Sequence, residues 1–232
     1  MQSAEKPEAP VISPLQGRQR LYFLFGLILL WPAIFLGDVF AFNDTISYLR
    51  GADTLAYKLF GQHHPFFTIP LVDEAVTPAT SPAEAGPSMV LYGRSIYFGI
   101  FLYVGLLAGS LWVPILAQAM AAGALIVAMV RHFVEPVDRS AFLRACLVTF
   151  AVAACTPLAF FVCYLMPDLA VGLALPAMAL MLVGWDRERL AWRYFLFGVC
   201  LFAAFAHSTA VAVFLIFGAG ALLIAAKRRS VF

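Results

Sequence analysis

Three charged side chains stand at the edges of apolar stretches, where ionised groups can act on a substrate at a membrane surface. Asp44 and Asp168 each lie at the start of a helical stretch, and Arg94 stands directly before a third apolar segment. A carboxylate held at a helix start can take a proton from an incoming hydroxyl, and a guanidinium binds phosphate oxygens in bidentate fashion. Asp44, Asp168 and Arg94 are therefore the candidate site residues.

Each of these residues also has a structural interpretation that the sequence leaves open. Asp44, together with Thr45, suits the N-cap of a helix lying on the membrane, and Asp168 after Pro167 suits the cap of a helix that follows a short loop. Arg94 suits a side chain that extends toward lipid headgroups as a simple anchor. The position of these groups relative to the membrane follows from the composition and the predicted topology.

The histidines give a weaker indication of chemistry. His63 and His64 lie beside Pro65 in a region that carries several acids, so the binding of a divalent cation stays open. Adjacent histidines cannot easily face one ion, and we therefore predict no metal site; the cofactor stays unknown. His207 lies within the last apolar run, where we expect it to hydrogen-bond between helices.

The composition predicts a membrane protein. Of the 232 residues, 63% are hydrophobic and only 12% are charged, and the mean hydropathy is +0.90. Fifteen Lys and Arg against thirteen Asp and Glu give a net charge of only +2, so a nucleic-acid partner is not expected. We expect an all-α, polytopic transmembrane helix bundle whose partners include membrane lipids.

Candidate membrane spans follow from the length that a bilayer requires. A hydrocarbon core of about 30 Å needs about 20 apolar helical residues. Such runs cover residues 21–37, 95–130, 145–166, 169–185 and 194–226. We interpret residues 95–109 as a juxtamembrane or re-entrant segment and residues 111–130 as a crossing, and we favour a hairpin that turns near His207 in the last run. This gives five or six spans.

The distribution of basic residues predicts the orientation. With residues 95–109 kept on one side, twelve Lys and Arg fall on the inner side and only Arg50, Lys58 and Arg94 fall outside. This is the bias of the positive-inside rule. The prediction is a cytoplasmic tail over residues 1–20 and a transmembrane domain over residues 21–232 of a bacterial inner membrane. Its external loop, residues 38–94, contains juxtamembrane helices and a mobile stretch over residues 71–89.

The order of three segments resembles a known family. NDTISYLRGA follows the first span, GRSIYFGIFLY follows the external loop and TPLAFFVCYLMPD lies in a later span. Together they resemble the N-terminal module of the glycosyltransferase C superfamily, whose polytopic members use sugars linked to a lipid phosphate. The resemblance implies that Asp44, or else Asp38, is the first external acid, a base or metal-associated residue, and that Asp168 is the second.

The resemblance also implies a role for Arg94 and an activity. Arg94 is similar to the arginine of the family's R-P-P-L-Y element and would face the lipid phosphate, although Ser95 and Ile96 replace the prolines. The implied reaction moves a sugar from a polyprenyl-phosphate donor to an acceptor on the external face.

Two further functions stay open. Family members usually have eight or more spans, so the alternative is a non-catalytic accessory subunit of a larger membrane protein complex. A transporter is the least supported function, because His207 is nearly the only ionisable group at mid-membrane depth.

Overall fold

The computed structural model describes residues 16–68, 95–133, 141–184 and 188–229, which form an all-helical structure. Helix α1 has 3-10 turns over Gln16–Leu30 and α-helical turns over Trp31–Leu36. The other helices are α2 (Asn43–Phe60), α3 (Pro65–Thr68), α4 (Ile96–Leu107), α5 (Trp112–Phe133), α6 (Ala141–Cys155), α7 (Leu158–Cys163), α8 (Asp168–Gly184), α9 (Leu190–Ala206) and α10 (Ser208–Arg229). The predicted all-α class is confirmed. Residues 1–15 of the predicted tail, the stretch 71–89 and Arg94 lie outside the described residues.

Helices α1 and α5 form the centre of the bundle and touch through their backbones. A Cβ atom added at Gly123 would overlap the backbone of Gly26, and one added at Gly26 would overlap the carbonyl of Ala119. Small residues allow helices to approach this closely, which is a common way of packing helices in an apolar environment. The buried side chains of Leu29 and Ile115 continue this core toward the end of α1 and the start of α5.

One end of the bundle, here called the basic end, gathers Arg131, Arg189 and Arg193. Arg131 at the end of α5 forms an ion pair with Glu188, which lies just before α9 and is buried. Tyr22 near the start of α1 packs edge-on against Trp192 of α9, with ring centroids 6.0 Å apart. The start of α1, the end of α5 and the start of α9 therefore share this end.

The opposite end, here called the acidic end, carries Asp38, Asp44 and Asp168. After α1 the chain reaches Phe40, whose N–H donates to the carbonyl of Cys163 at 3.1 Å. The N–H of Leu165 in turn donates to the carbonyl of Phe40 at 3.0 Å. The end of α1 thus lies beside the short segment that joins α7 to α8.

Helix α4 begins and ends beside the acidic end. The Ser95 hydroxyl donates to the carbonyl of Phe205, in the last turn of α9, at 2.5 Å. At its other end, Gly105 packs against Pro114 in the first turn of α5. The interpretation of residues 95–109 as a juxtamembrane or re-entrant segment stays a prediction.

Helix α5 is the helix, within the described residues, that is long and apolar enough to cross a membrane. Shorter apolar stretches of 10 to 17 residues occur in α1, α4, α6, α8, α9 and α10. Large apolar side chains face outward from these helices, including Phe35 of α1, Phe150 of α6 and Ile216 of α10. A helical break at His207 separates α9 from α10, where the sequence predicted a turn. The number of spans stays a prediction.

A matched pair of glycine substitutions tests the α1–α5 crossing. We expect Gly123→Ala to lower the free energy of unfolding by about 3 kcal/mol, the upper part of the usual range for an overpacked interior, because the new Cβ meets backbone atoms that cannot move aside. Gly172→Ala in α8, where a Cβ meets nothing within 4 Å, is the control. Titration with a denaturing detergent measures both, and equal stability of the two variants would contradict the close crossing.

Candidate functional site

Asp44 lies in the first turn of α2, but it is not the N-cap. The helix begins at Asn43, and its N-cap is Phe42, in an extended conformation. The Thr45 hydroxyl accepts a hydrogen bond from the Phe42 N–H at 2.9 Å. The predicted capping role of Asp44 is therefore wrong, because Thr45 makes the polar contact with the N-cap residue. The half-buried Asp44 carboxylate instead lies in the first turn of α2, near the unpaired N–H groups of the helix start.

Thr45 also joins the start of α2 to the start of α8. Its fully buried hydroxyl donates to the carbonyl of Leu165 at 3.1 Å. Leu165 lies three residues before Asp168, the first residue of α8. The structure thus brings together the helix starts that carry the two predicted acids.

Gln118 of α5 holds the end of α7 in place. Its side-chain N–H groups donate to the carbonyls of Val162 at 3.2 Å and Tyr164 at 3.0 Å. The last carbonyls of a helix have no partner within the helix, so a side-chain donor is needed where they are buried. Gln118 therefore fixes the segment from which Asp168 projects.

Asp168 is open to solvent at the acidic end. Its side chain is 53% exposed, and its Oδ1 lies 3.8 Å from Nε2 of His207. This separation suits an ion pair with a protonated imidazole but exceeds the length of a hydrogen bond. The other ring nitrogen of His207 accepts from the N–H of Thr209 at 3.2 Å, a contact within the α9–α10 turn.

The starts of α2, α4 and α8 and the end of α9 together form a meeting point that we call the junction. Thr45 and Leu165 connect α2 to α8, and Ser95 and Phe205 connect α4 to α9. Arg94 directly precedes Ser95 in the sequence, although Arg94 itself lies outside the described residues.

An apolar cavity of about 300 Å³ lies between α4, α5, α8 and α9. Its wall includes Leu169, the residue after Asp168, and Phe98, three residues after Ser95. Phe202 and Met166 contribute further apolar surface, and Gln118 is the one lining residue with a polar side chain. Pockets of this size and character suit an apolar ligand or an acyl or isoprenoid chain.

A second polar cluster centres on Asp53, which sequence reasoning did not select. Asp53 lies in α2 and is only 3% exposed. Its carboxylate contacts Nδ1 of His63 at 2.6 Å and accepts hydrogen bonds from the N–H of His64 at 2.8 Å and the hydroxyl of Tyr103 at 3.1 Å. One signal was available: Asp53 follows Leu49 by four residues, so both lie on the buried face of α2.

The described residues do not fit a centre for a divalent cation. Within them, no group of three or more His, Cys, Asp and Glu side chains lies close enough together to hold a metal ion. His63 faces Asp53 through Nδ1, whereas Nδ1 of His64 accepts from the N–H of Phe66 at 3.2 Å. The two adjacent rings therefore have different partners.

Comparisons with known protein families, with curated proteins and with solved structures find no match to this chain.

The hydroxyl of Thr45 is tested by a substitution that keeps its shape. We expect Thr45→Val to lower the free energy of unfolding by about 1–3 kcal/mol, because the buried carbonyl of Leu165 loses a hydrogen-bond donor. The Leu165 amide, bonded to Phe40, should also exchange its hydrogen faster. Thr54→Val is the control, since that hydroxyl bonds only within α2. Unchanged exchange at Leu165 would contradict the connection between α2 and α8.

Proposed function

We propose that this chain is an integral membrane protein that transfers a sugar from a polyprenyl-phosphate donor to an acceptor hydroxyl on the external face. The apolar cavity beside the junction is the observation that carries this proposal. Because Leu169 and Phe98 line the cavity while Asp168 and Ser95 lie at the junction, a ligand with its chain in the cavity would hold its polar head near the junction.

The arrangement of charge supports a membrane orientation with the acidic end outside. Arg131, Arg189 and Arg193 lie at the basic end, and the positive-inside rule assigns such an end to the cytoplasm. The proposal includes five or six crossings and an N-terminus in the cytoplasm of a bacterial inner membrane. The outward apolar side chains of α1, α6 and α10 would then face lipid.

The proposed reaction assigns one role to each predicted residue. The acceptor oxygen attacks the anomeric carbon of the sugar as the carboxylate of Asp44 takes the hydroxyl proton, and the bond from that carbon to the phosphate oxygen breaks. Arg94 offsets the charge of the departing lipid phosphate, and Asp168 orients the acceptor. Asp44 and Asp168 lie in the first turns of helices that meet at the junction, and Arg94 precedes Ser95 in the sequence.

One observation favours the alternative, an accessory subunit of a larger membrane protein complex. Leu215 and Ile216 of α10 are 70% and 71% exposed, so α10 leaves a broad apolar face without cover from the described part of the chain. A transmembrane partner could pack there as well as lipid can. In this alternative the junction would have no catalytic role.

Turnover of a radiolabelled polyprenyl-phosphate sugar by the purified chain tests the proposed reaction. We expect Asp44→Asn to lower kcat by about 100-fold or more, because it removes the general base. Asp38→Asn is its matched control, since the Asp38 carboxylate accepts only the neighbouring Val39 N–H among its described contacts. Full turnover in Asp44→Asn, or loss in Asp38→Asn instead, would contradict the assigned base.

The same assay tests Arg94. We expect Arg94→Gln to lose turnover while Arg50→Gln keeps it.

The cavity is tested by a second pair of glycine substitutions. Gly198 lines the cavity and has room for a Cβ, so Gly198→Leu fills part of the space without a backbone clash. We expect it to raise KM for the lipid-linked donor about tenfold, since a lost hydrophobic contact of this size is worth about 1–3 kcal/mol. Gly172→Leu, at an equally open position outside the cavity, should leave KM unchanged. Equal KM values in both variants would place the lipid chain elsewhere.

A further inference from the structure

The Asp53 cluster lies apart from the junction. Asp53 follows Asp44 by nine residues in α2, which places it about 14 Å farther along the helix axis. It joins three parts of the chain: α2, the turn at His63 and His64, and Tyr103 of α4. A carboxylate that is almost fully buried needs such partners, because an unpaired buried charge is strongly unfavourable.

The hydrogen bonds around Asp53 determine the tautomer of His63. The backbone N–H of His64 and the hydroxyl of Tyr103 both serve Oδ1, and Oδ2 faces Nδ1 of His63 at 2.6 Å. When the carboxylate is ionised it can only accept, and Nδ1 of His63 then donates in this contact. In the neutral ring, Nε2 then carries a lone pair and can accept a proton.

The His63 ring is held in orientation and still reaches the surface. It stacks on the ring of Tyr57 with centroids 4.2 Å apart and planes 3° apart. Its side chain remains 43% exposed, and Nε2 has no hydrogen-bond partner among the described residues. An imidazole whose Nδ1 contacts a buried carboxylate, and whose Nε2 has no partner among the described residues, is suited to general-base catalysis.

We propose that Asp53 and His63 form a second site at the acidic end, in which Nε2 of His63 takes a proton from a hydroxyl compound that attacks an activated ester. The hydroxyl oxygen forms a bond to the ester carbonyl carbon as its proton moves to Nε2. The bond from that carbon to the leaving oxygen then breaks, and the leaving group takes the proton from Nε2. Asp53 is a positioning residue, and this chemistry does not depend on sugar transfer.

Hydrolysis of 4-nitrophenyl acetate by the full chain in mild detergent tests the proposal, with water as the hydroxyl compound. We expect His63→Gln to lower the rate of nitrophenolate release at least about tenfold. His132→Gln, the same change at the basic end, is the matched control and should stay within about twofold of the wild-type rate. A wild-type rate in His63→Gln, or an equal loss in His132→Gln, would overturn the proposal.

The tautomer of His63 tests the positioning role of Asp53, because a purely structural role of Asp53 would not determine which ring nitrogen carries the proton. In the ¹⁵N NMR spectrum of histidine-labelled wild-type protein, we expect the neutral His63 ring to carry its proton on Nδ1. Asp53→Asn should shift the proton to Nε2 and lower the rate of 4-nitrophenyl acetate hydrolysis about tenfold. A wild-type spectrum with the proton on Nε2 would overturn the proposal without any variant, so the test does not depend on the folding of Asp53→Asn.

Discussion

The need to pair buried backbone groups between α7 and α8 determines how the acidic end is built. A chain that leaves one helix and enters another within apolar surroundings exposes carbonyl and N–H groups that must find partners. Phe40 exchanges backbone hydrogen bonds with Cys163 and Leu165. The Thr45 hydroxyl donates to the carbonyl of Leu165. The Gln118 side chain donates to the carbonyls of Val162 and Tyr164. These bonds come from three parts of the chain, so they hold the α1–α2 connection, α2 and α5 against one short segment. Their number makes this segment the structural anchor of the acidic end.

Two consequences for function follow from this anchor. The starts of α2 and α8 are held together, so the helices that carry Asp44 and Asp168 present both carboxylates at one end of the bundle. The turn between α7 and α8 also sets Met166 and Leu169 against α4, α5 and α9, where the apolar cavity lies. The proposed function places the hydrocarbon chain of its lipid-linked donor in this cavity and the charged head at the junction.

The sequence predicted the features that depend on local composition. High hydropathy predicted the all-α class, and His207 marked the break between α9 and α10. The capping role of Asp44 was mispredicted because the helix starts at Asn43, with Thr45 contacting the extended Phe42. The spacing of residues in the sequence does not show which residue begins the helix or which side chain contacts its N-cap.

The Asp53 cluster was missed for a different reason. In the sequence Asp53 is one of several acids in the external loop, and its spacing from Leu49 is the one nearby feature that separates it from the exposed ones. Its burial depends on Tyr103, fifty residues later, and on a turn that folds His63 back onto α2. Contacts between residues so far apart follow from the packing of α2 on α4, for which the hydrophobic pattern of either helix alone gives no register.

Native mass spectrometry of the protein purified in mild detergent from its own membranes distinguishes the proposed transferase from an accessory subunit. For a transferase we expect a particle that carries a co-purifying polyprenyl phosphate, with its chain in the cavity and its phosphate at the junction. A stoichiometric assembly with a larger membrane protein, free of any such lipid, would contradict the proposed transferase and identify the chain as an accessory subunit.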